Sequence, residues 1–318
     1  MVNMMLKKKA IKRILVTTLS LIIVFLICAI SKVNNVTVYD DVYYINSSDT
    51  KKVYTNTKDN ILAETTIYID NKKDIEDQVK AILETMVKEN DKNALLPDYF
   101  KPILPPNTKV ISVELNDDIL KVNFSKELMD IKEEEANKMI EAIVYTLTDY
   151  KEVLGVTIQV EGKTLKYVPN TKKAMKEVLT RDFGINKKYD INSNNDIEKI
   201  VIYYIVGDNN MYYAPVTKYI NSKNEKLEVI VEELANKYEK ETLKSYLNDG
   251  LKLLKYEIKE NKIILNFNNK IYEGDKSTNE EALNCITYSV FATYDIDNIE
   301  IYEGQNKILE KSRKDIEN

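Results

Sequence analysis

The feature that most constrains the fold of this chain is the stretch 108–162, whose pattern occurs a second time further along the sequence. In the first copy, apolar residues alternate with polar ones on both sides of a turn at residues 116–118. Alternation with a period of two is typical of a half-buried β-hairpin. The alternating apolar residues are Ile111, Val113 and Leu115 before the turn and Leu120, Val122 and Phe124 after it.

An amphipathic helix and a third strand follow this hairpin. Asp130 and Glu133 have the spacing of a capping box, which predicts a helix start at this point. The apolar residues of the helix recur every three or four positions, at Ala136, Met139, Ile140, Ile143, Val144 and Leu147. Gly155 ends the helical pattern, and residues 156–160 alternate again. Because a helix cannot bury its apolar stripe alone, we expect it to cover a sheet made of the hairpin and the closing strand.

The second copy repeats this order at a constant offset. Phe124 corresponds to Phe267, so the two are predicted to be equivalent core residues, and a second capping box is predicted at Ser277 and Glu280. Each copy is preceded by a further hairpin and helix, at 53–69 and 75–87 in the first and at 199–220 and 227–238 in the second.

The sequence therefore predicts an α+β fold. Two tandem β-β-α-β-β-α-β domains, each with its helices packed on one face of a mixed sheet, follow an N-terminal transmembrane helix. A length of 318 residues fits two domains at ~150 residues each. The predicted boundaries are a cytoplasmic basic segment 1–13, a transmembrane anchor 14–31, a tether 32–50, a first domain 51–165, an inter-domain segment 166–198, a diverged second domain 199–310 and a tail 311–318.

The N-terminus combines a basic cluster with an apolar run. Lysines and an arginine at residues 7–13 precede a stretch without charged residues from 14 to 30. At ~1.5 Å per residue, this stretch approaches the ~30 Å hydrocarbon thickness of a bilayer. We therefore predict a single-pass anchor in the cell membrane, with a cytoplasmic N-terminus and extracytoplasmic C-terminal domains. Cleavage as a signal segment is the alternative. A lipoprotein signal fits poorly, because bulky Ile27 precedes Cys28.

Charge and composition exclude several classes of partner and site. Six of the 46 basic residues and none of the 51 acidic residues lie in residues 1–32, so the remainder carries a net charge of −11. This charge argues against a nucleic acid or an anionic lipid surface as the partner of the outer part. The chain has no His, and Cys28 and Cys285 predict neither a disulfide nor a metal site. Its seven glycines form no phosphate-binding loop.

Two kinds of side-chain group are candidates for chemistry or binding. The acidic runs 133–135 and 280–281 resemble paired carboxylates, but each lies in the first turn of a predicted helix, where acids complement the helix dipole. The tyrosine pairs 203–204 and 212–213 could stack on the sugar rings of peptidoglycan, or could pack one ring inward and leave the other in solvent. We therefore predict no enzyme activity, no catalytic, cofactor-binding or metal-binding residue, and no cofactor.

Short motifs occur in a fixed order along both copies. In the first copy they are Leu104-Pro105-Pro106-Asn107-Thr108-Lys109-Val110, Val122-Asn123-Phe124-Ser125, the helix 136–147 and Val160-Glu161-Gly162, and in the second Tyr213-Ala214-Pro215-Val216-Thr217-Lys218. Together they resemble the GerM domain of bacterial sporulation and spore germination proteins, in two tandem copies covering residues 51–310. Residues 181–186 are similar to that family's inter-domain segment. The second copy lacks a proline-rich approach at residues 240–249, so it is predicted to be diverged.

The resemblance implies a function as well as a fold. It implies an extracytoplasmic protein that supports sporulation and germination through protein–protein assembly of the complex joining mother cell and forespore. The expected partners are other envelope or sporulation-complex proteins or further copies of the chain. The tyrosine pairs leave peptidoglycan as a further expected partner, and the apolar run 14–31 is expected to contact the membrane. The alternative function is a peptidoglycan-binding envelope module that assists cell-wall remodelling.

Overall fold

The computed structural model describes residues 50–69, 74–208, 210–236, 242–268, 270–272 and 279–316. These residues belong to one compact unit, Ser47–Asn318. The predicted basic segment and transmembrane anchor lie outside the described residues. Within the described ranges, no helix is both long enough and apolar enough to span a bilayer.

The first domain follows the predicted order, with two short extra strands. Residues 58–60 form the turn of its first hairpin, within the predicted range 53–69. Its elements are β1 (Thr50–Thr57), β2 (Leu62–Tyr68), α1 (Ile75–Thr85), β3 (Phe100–Lys101), β4 (Val110–Asn116), β5 (Ile119–Phe124), α2 (Glu133–Leu147), β6 (Gly155–Val160) and β7 (Lys163–Thr164).

The second domain repeats the predicted β-β-α-β-β-α-β order, with an additional first strand that lies inside the predicted inter-domain segment. Its elements are β8 (Lys188–Asp190), β9 (Ile197–Val206), β10 (Tyr212–Asn221), α3 (Lys226–Ala235), β11 (Leu253–Lys259), β12 (Lys262–Phe267), α4 (Asn279–Thr293), β13 (Asn298–Glu303) and β14 (Asn306–Ser312). The α+β class and the tandem arrangement are therefore confirmed.

The sheet organisation differs from the prediction of one sheet in each domain. The first domain has a sheet of order β2-β1-β3 and a mixed sheet of order β4-β5-β6-β7; the second has β8-β10-β9 and β11-β12-β13-β14. The reason lies in the second helix of each domain. In α2, every residue from Met139 to Leu147 is buried, so the helix needs cover on more than one side. It contacts both β1 and β6, which belong to different sheets.

A β-bulge at the edge of each four-stranded sheet corrects the predicted strand pattern. Val110 pairs with Phe124 and Ser112 pairs with Asn123, so Ile111 is the extra residue and is 49% exposed. Leu254 occupies the same place in β11 and is 61% exposed. The prediction that Ile111 faces the core was wrong, because the bulge turns this side chain outward and leaves Val110 buried.

The predicted capping box at the start of α2 is also wrong. The helix begins at Glu133 with Lys132 as its N-cap residue, and no side chain bonds to the cap. Asp130 instead ends a 3₁₀ helix, Lys126–Asp130, and Ile131 is buried between the two helices. The second predicted box involves Ser277, which lies outside the described residues.

The two equivalent phenylalanines are confirmed as core residues. Phe124 and Phe267 are both 0% exposed. Each ends the second strand of its four-stranded sheet, and each is paired with residues of the strands on both sides. The register of the repeat, with an offset of 143 residues between these two positions, therefore holds in the folded protein.

Candidate functional site

The acidic runs noted in the sequence lie at helix ends. Residues 133–135 occupy the first turn of α2, where Glu135 Oε2 lies 3.1 Å from Lys88 Nζ. Residues 280–281 occupy the first turn of α4. Among the described residues, no group of three or more His, Cys, Asp and Glu side chains is placed to hold a metal ion.

The paired tyrosines of the second domain pack against protein. Tyr203 and the residue after it are 8% and 2% exposed. Tyr212 stacks on Tyr99 of the first domain, with ring centroids 5.5 Å apart and an interplanar angle of 7°. Tyr213 meets Tyr288 edge to face, with centroids 4.7 Å apart. These rings therefore contribute to the core of the domain and to its contact with the first domain, and form no solvent-facing platform.

The two domains are joined by residues 181–187, which we call the junction segment. At its centre, the side-chain oxygen of Asn186 accepts the backbone N–H of Leu62 at 2.9 Å. The amide nitrogen of Asn186 donates to the carbonyl oxygens of Leu62, at 2.7 Å, and Pro215, at 2.9 Å. Leu62 begins β2 in the first domain, and Pro215 lies within β10 in the second. A single amide group therefore hydrogen-bonds a strand of each domain.

The junction segment contains two residues with left-handed backbone angles. Gly184 has φ 79° and ψ 164°, a conformation nearly confined to glycine, and an added Cβ would lie 3.1 Å from Thr217 Oγ1. Asn186 has φ 47°, which asparagine tolerates better than most residues. Between them, the N–H of Ile185 donates to Thr217 Oγ1 at 3.0 Å, and the N–H of Thr217 donates to Ile185 O at 2.8 Å. This conformation aims the Asn186 amide at both strands.

A buried ion pair ties α2 to the junction segment. Glu141 Oε1 lies 3.3 Å from Lys187 Nζ, and the two side chains are 3% and 5% exposed. Glu141 also accepts the backbone N–H of Asn186 at 2.8 Å and the amide of Asn137 at 2.6 Å. Burial raises the pKa of Glu141 and lowers the pKa of Lys187 to about 8. Because both partners are buried, losing one would leave an uncompensated charge inside the protein.

Arg181 begins the junction segment and lies against the first domain. Its guanidinium carbon is 5.0 Å from the ring centre of Tyr145 and 5.7 Å from that of Tyr54, within the range of cation–π attraction. Its Nη2 lies 3.0 Å from Asp149 Oδ1, and its Nε donates to Thr148 Oγ1 at 3.3 Å. The planar guanidinium group therefore joins two aromatic rings to the C-terminal end of α2.

The aromatic pair beneath Arg181 has a counterpart in the second domain. Tyr54 and Tyr145 meet edge to face with centroids 5.6 Å apart, and Tyr203 and Tyr288 repeat this geometry at 5.7 Å. In each pair, the first ring comes from the first long strand of the domain and the second from its second helix. The repeat is therefore conserved at the level of side-chain packing.

In both domains, a side-chain hydroxyl group of the second helix accepts a hydrogen bond from a backbone N–H of the first long strand. The N–H of Tyr54 donates to Thr146 Oγ1 at 2.9 Å, and the N–H of Tyr203 donates to Ser289 Oγ at 2.8 Å. Thr146 and Ser289 are 0% exposed. Because a buried N–H without a partner is costly, these hydroxyl groups allow a helix to pack beside the strand.

A cleft of about 620 Å³ lies between the two domains. Much of its wall consists of equivalent positions of the two copies. The equivalent pairs are Lys52 with Val201, Tyr54 with Tyr203, Tyr145 with Tyr288, Thr148 with Phe291, Asp149 with Ala292 and Tyr150 with Thr293. The same patch of each domain therefore meets its counterpart, as in the isologous interface of a symmetric dimer.

One charged residue on the apolar face of α2 indicates the junction in the sequence, although hydrophobic periodicity does not explain its presence there. Glu141 interrupts the apolar run from Met139 to Leu147, and a charge on such a face usually has a buried partner. In the second copy the equivalent residue is Asn284, whose amide donates to Tyr213 Oη at 2.9 Å and whose oxygen accepts from Lys311 at 2.6 Å. The partners of these polar residues come from distant segments, so the sequence did not identify them.

Comparison with known proteins agrees with the repeated architecture. A family described as "Germane: Sporulation and spore germination" matches residues 41–166 and 201–307. The chain is 28% identical over 251 residues to the spore germination protein GerM of Bacillus subtilis (strain 168), covering 75% of this chain and 68% of that protein. The solved structure of the tandem GerMN domains of the sporulation protein GerM from Bacillus subtilis has a TM-score of 0.71 and 23% identity, and the match covers 83% of this chain and 96% of that one.

The family match extends over more than half of the chain and falls on both copies of the repeat. The solved tandem structure has the same fold over most of its length. The resemblance inferred from the motifs is therefore confirmed, and this chain belongs to the Germane family of sporulation and spore germination proteins.

Proposed function

We propose that this protein is a non-enzymatic, membrane-anchored extracytoplasmic protein that supports sporulation and germination by protein–protein assembly of the mother cell–forespore complex. The observation that carries the proposal is the fixed joining of two similar domains. Asn186 hydrogen-bonds both domains, and the Glu141–Lys187 pair is buried beside it. A rigid pair of domains suits an assembly protein, because its binding surfaces keep a constant separation.

Two further features support a role in assembly. Within the described part of the chain, β4 and β11 are edge strands of their sheets, and their bulges place the exposed apolar side chains of Ile111 and Leu254 at equivalent points. The relative from Bacillus subtilis carries the name of a spore germination protein, and its tandem-domain structure is described as that of a sporulation protein.

The test is a deletion of the gene in the bacterium that carries it. We expect a large loss of heat-resistant spores, and a fluorescent fusion should collect at the engulfing membrane. Complementation with wild type should restore the spores, whereas Asn186→Ala should restore them only in part because it loosens the junction. Normal spore counts in the deletion strain would refute the proposal.

Binding of peptidoglycan is a second candidate function, favoured by the cleft of about 620 Å³ between the domains. It is tested by spinning the compact unit, residues 47–318, with purified cell wall. Assembly as the main role predicts that this piece stays in solution. Co-sedimentation would shift the function toward the wall, and release of wall fragments by the same piece would contradict the non-enzymatic role.

A further inference from the structure

The strand β11 lies at the edge of its sheet and carries exposed apolar side chains. Among the described residues it pairs only with β12, so its other side has no neighbouring strand in this part of the chain. Leu254 is 61% exposed, Ile258 is 49% exposed, and Tyr256 between them is half-buried. Alternate residues of an edge strand direct their backbone N–H and C=O groups away from the sheet. This edge therefore offers apolar contacts and backbone hydrogen bonds to an added strand.

The charged residues of β11 alternate in sign along one face of the strand. Glu257 Oε1 lies 2.7 Å from Lys255 Nζ, and Glu257 Oε2 also contacts Lys259 Nζ. Because these residues are two positions apart, their side chains lie on the same face of the sheet. Hydrogen bonds from the two lysines lower the pKa of Glu257 to about 2, so its carboxylate is ionised at neutral pH. A partner strand with the opposite order of charges would match this face.

A second copy of β11 has this opposite order when it runs antiparallel to the first. With Tyr256 opposite Tyr256 of the second copy, Leu254 lies opposite Ile258 and Lys255 lies opposite Glu257, each twice because of the two-fold symmetry. Apolar residues then meet apolar residues, and opposite charges meet directly across the pair, which stabilises a sheet. Moving the centre by one residue, to Glu257, would place like charges opposite each other. The strand is therefore self-complementary in one register.

The equivalent edge strand of the first domain lacks this self-complementarity. β4 contains one charged residue, Glu114, which is equivalent to Glu257 and lies 3.1 Å from Lys121. In an antiparallel pair of two β4 strands centred on Val113, Glu114 would lie opposite Ser112. The pattern of charges therefore favours β11 over β4 as the strand that pairs with its own copy.

We propose that two copies of this protein associate through β11, which pairs with β11 of the second copy in antiparallel orientation. The two four-stranded sheets then form one sheet of eight strands. Both copies use the same surface, so the contact closes at the dimer and produces no filament. This inference rests on the proposed assembly role and deepens it, because it names a second copy of the chain as one partner.

The test is sedimentation equilibrium of residues 47–318, which form one compact unit. A contact of one strand from each copy is smaller than a standard protein interface, so we expect a weak dimer with a Kd of roughly 100 µM. A monomer at all concentrations up to about 1 mM would overturn the proposal. It would leave assembly with other proteins, which the spore counts test, unaffected.

Two charge reversals test the register. Lys255→Glu places a carboxylate opposite Glu257 of the second copy, and Glu257→Lys places an ammonium group opposite Lys255, so each variant alone should raise the Kd roughly tenfold. An equimolar mixture of the two variants restores opposite charges at both positions, so it should associate at least as tightly as wild type. A mixture that associates no more tightly than either variant alone would refute the register.

The matched control is Glu114→Lys, because Glu114 occupies the equivalent position of β4. This variant should leave the Kd of the dimer unchanged. The same loss of association in Glu114→Lys as in Glu257→Lys would refute the assignment to β11. Thermal melts of Lys255→Glu and Glu114→Lys should superimpose on wild type, since both side chains are exposed, so a raised Kd in Lys255→Glu reports on association and not on folding.

Discussion

Replacing Asn186 should loosen the contact between the domains. In Asn186→Ala, three hydrogen bonds are lost, two to Leu62 and one to Pro215. At a net ~0.5–1.5 kcal/mol each, their loss costs roughly 2–4 kcal/mol. The left-handed backbone at this position, with φ 47°, adds about 1 kcal/mol for alanine. Asn186→Gly separates the two effects, because glycine adopts this φ without strain but makes none of the three bonds.

The assay is hydrogen exchange at the backbone amide of Leu62, which donates directly to Asn186. The hydrogen-bond loss of roughly 2–4 kcal/mol corresponds to exchange about 30- to 700-fold faster, and the strain of alanine adds a further factor of about five. The matched control is Asn170→Ala: Asn170 also has positive φ, 59°, but its amide bonds two carbonyl oxygens within the first domain, at 2.9 Å and 2.6 Å. It should lower the stability of that domain without exposing Leu62 ahead of its neighbours. Wild-type protection of Leu62 in Asn186→Ala would refute the reasoning.

Three further predictions concern single buried groups. Thr146→Val should cost about 1–3 kcal/mol in a urea unfolding titration, because the backbone N–H of Tyr54 loses its acceptor. The control Thr287→Val should be nearly neutral, since the Thr287 hydroxyl donates within its own helix and the equivalent residue of the first copy is valine. Equal costs for the two variants would refute the role assigned to Thr146. The free energy of unfolding should rise between pH 8 and 10.5, by at most about 1.4 kcal/mol per pH unit. The reason is that the pKa of Lys187 is lowered to about 8 in the folded state, so the unfolded chain binds more protons in this pH range. The same slope in Lys187→Met would contradict this origin. Phe124→Ala should cost ~3–5 kcal/mol through cavity formation, and Phe267→Ala should match it; thermal melts that superimpose on wild type would refute the repeat register.

The sequence predicts what local periodicity determines. The hairpin of β4 and β5, the helix α2 and the closing strand β6 all occur where alternation and helical spacing place them. The equivalent elements of the second copy could be predicted in the same way, because the same patterns recur there. The apolar stripe of α2 and both core phenylalanines could therefore be assigned without the structure.

Features that depend on contacts between distant residues could not be predicted from the sequence. A bulge at Ile111 changes which side chains face the core, and alternation alone does not show where an extra residue is inserted. The spacing of Asp130 and Glu133 fits a capping box, but burial of Ile131 moves the helix start. The partners of Glu141 and Asn186 lie in other domains or segments, so no pattern within one element identifies them.

The different residues at one repeated helix position mean that the two domains are not interchangeable. The first copy has Glu141, which binds Lys187 of the connecting chain, and the second has neutral Asn284, which binds Tyr213 and Lys311. A chain built from two first domains would bury a carboxylate in its second half with no lysine beside it. A chain built from two second domains would leave Lys187 without its anion. The order of the two modules along the chain is therefore specified by electrostatics as well as by connectivity.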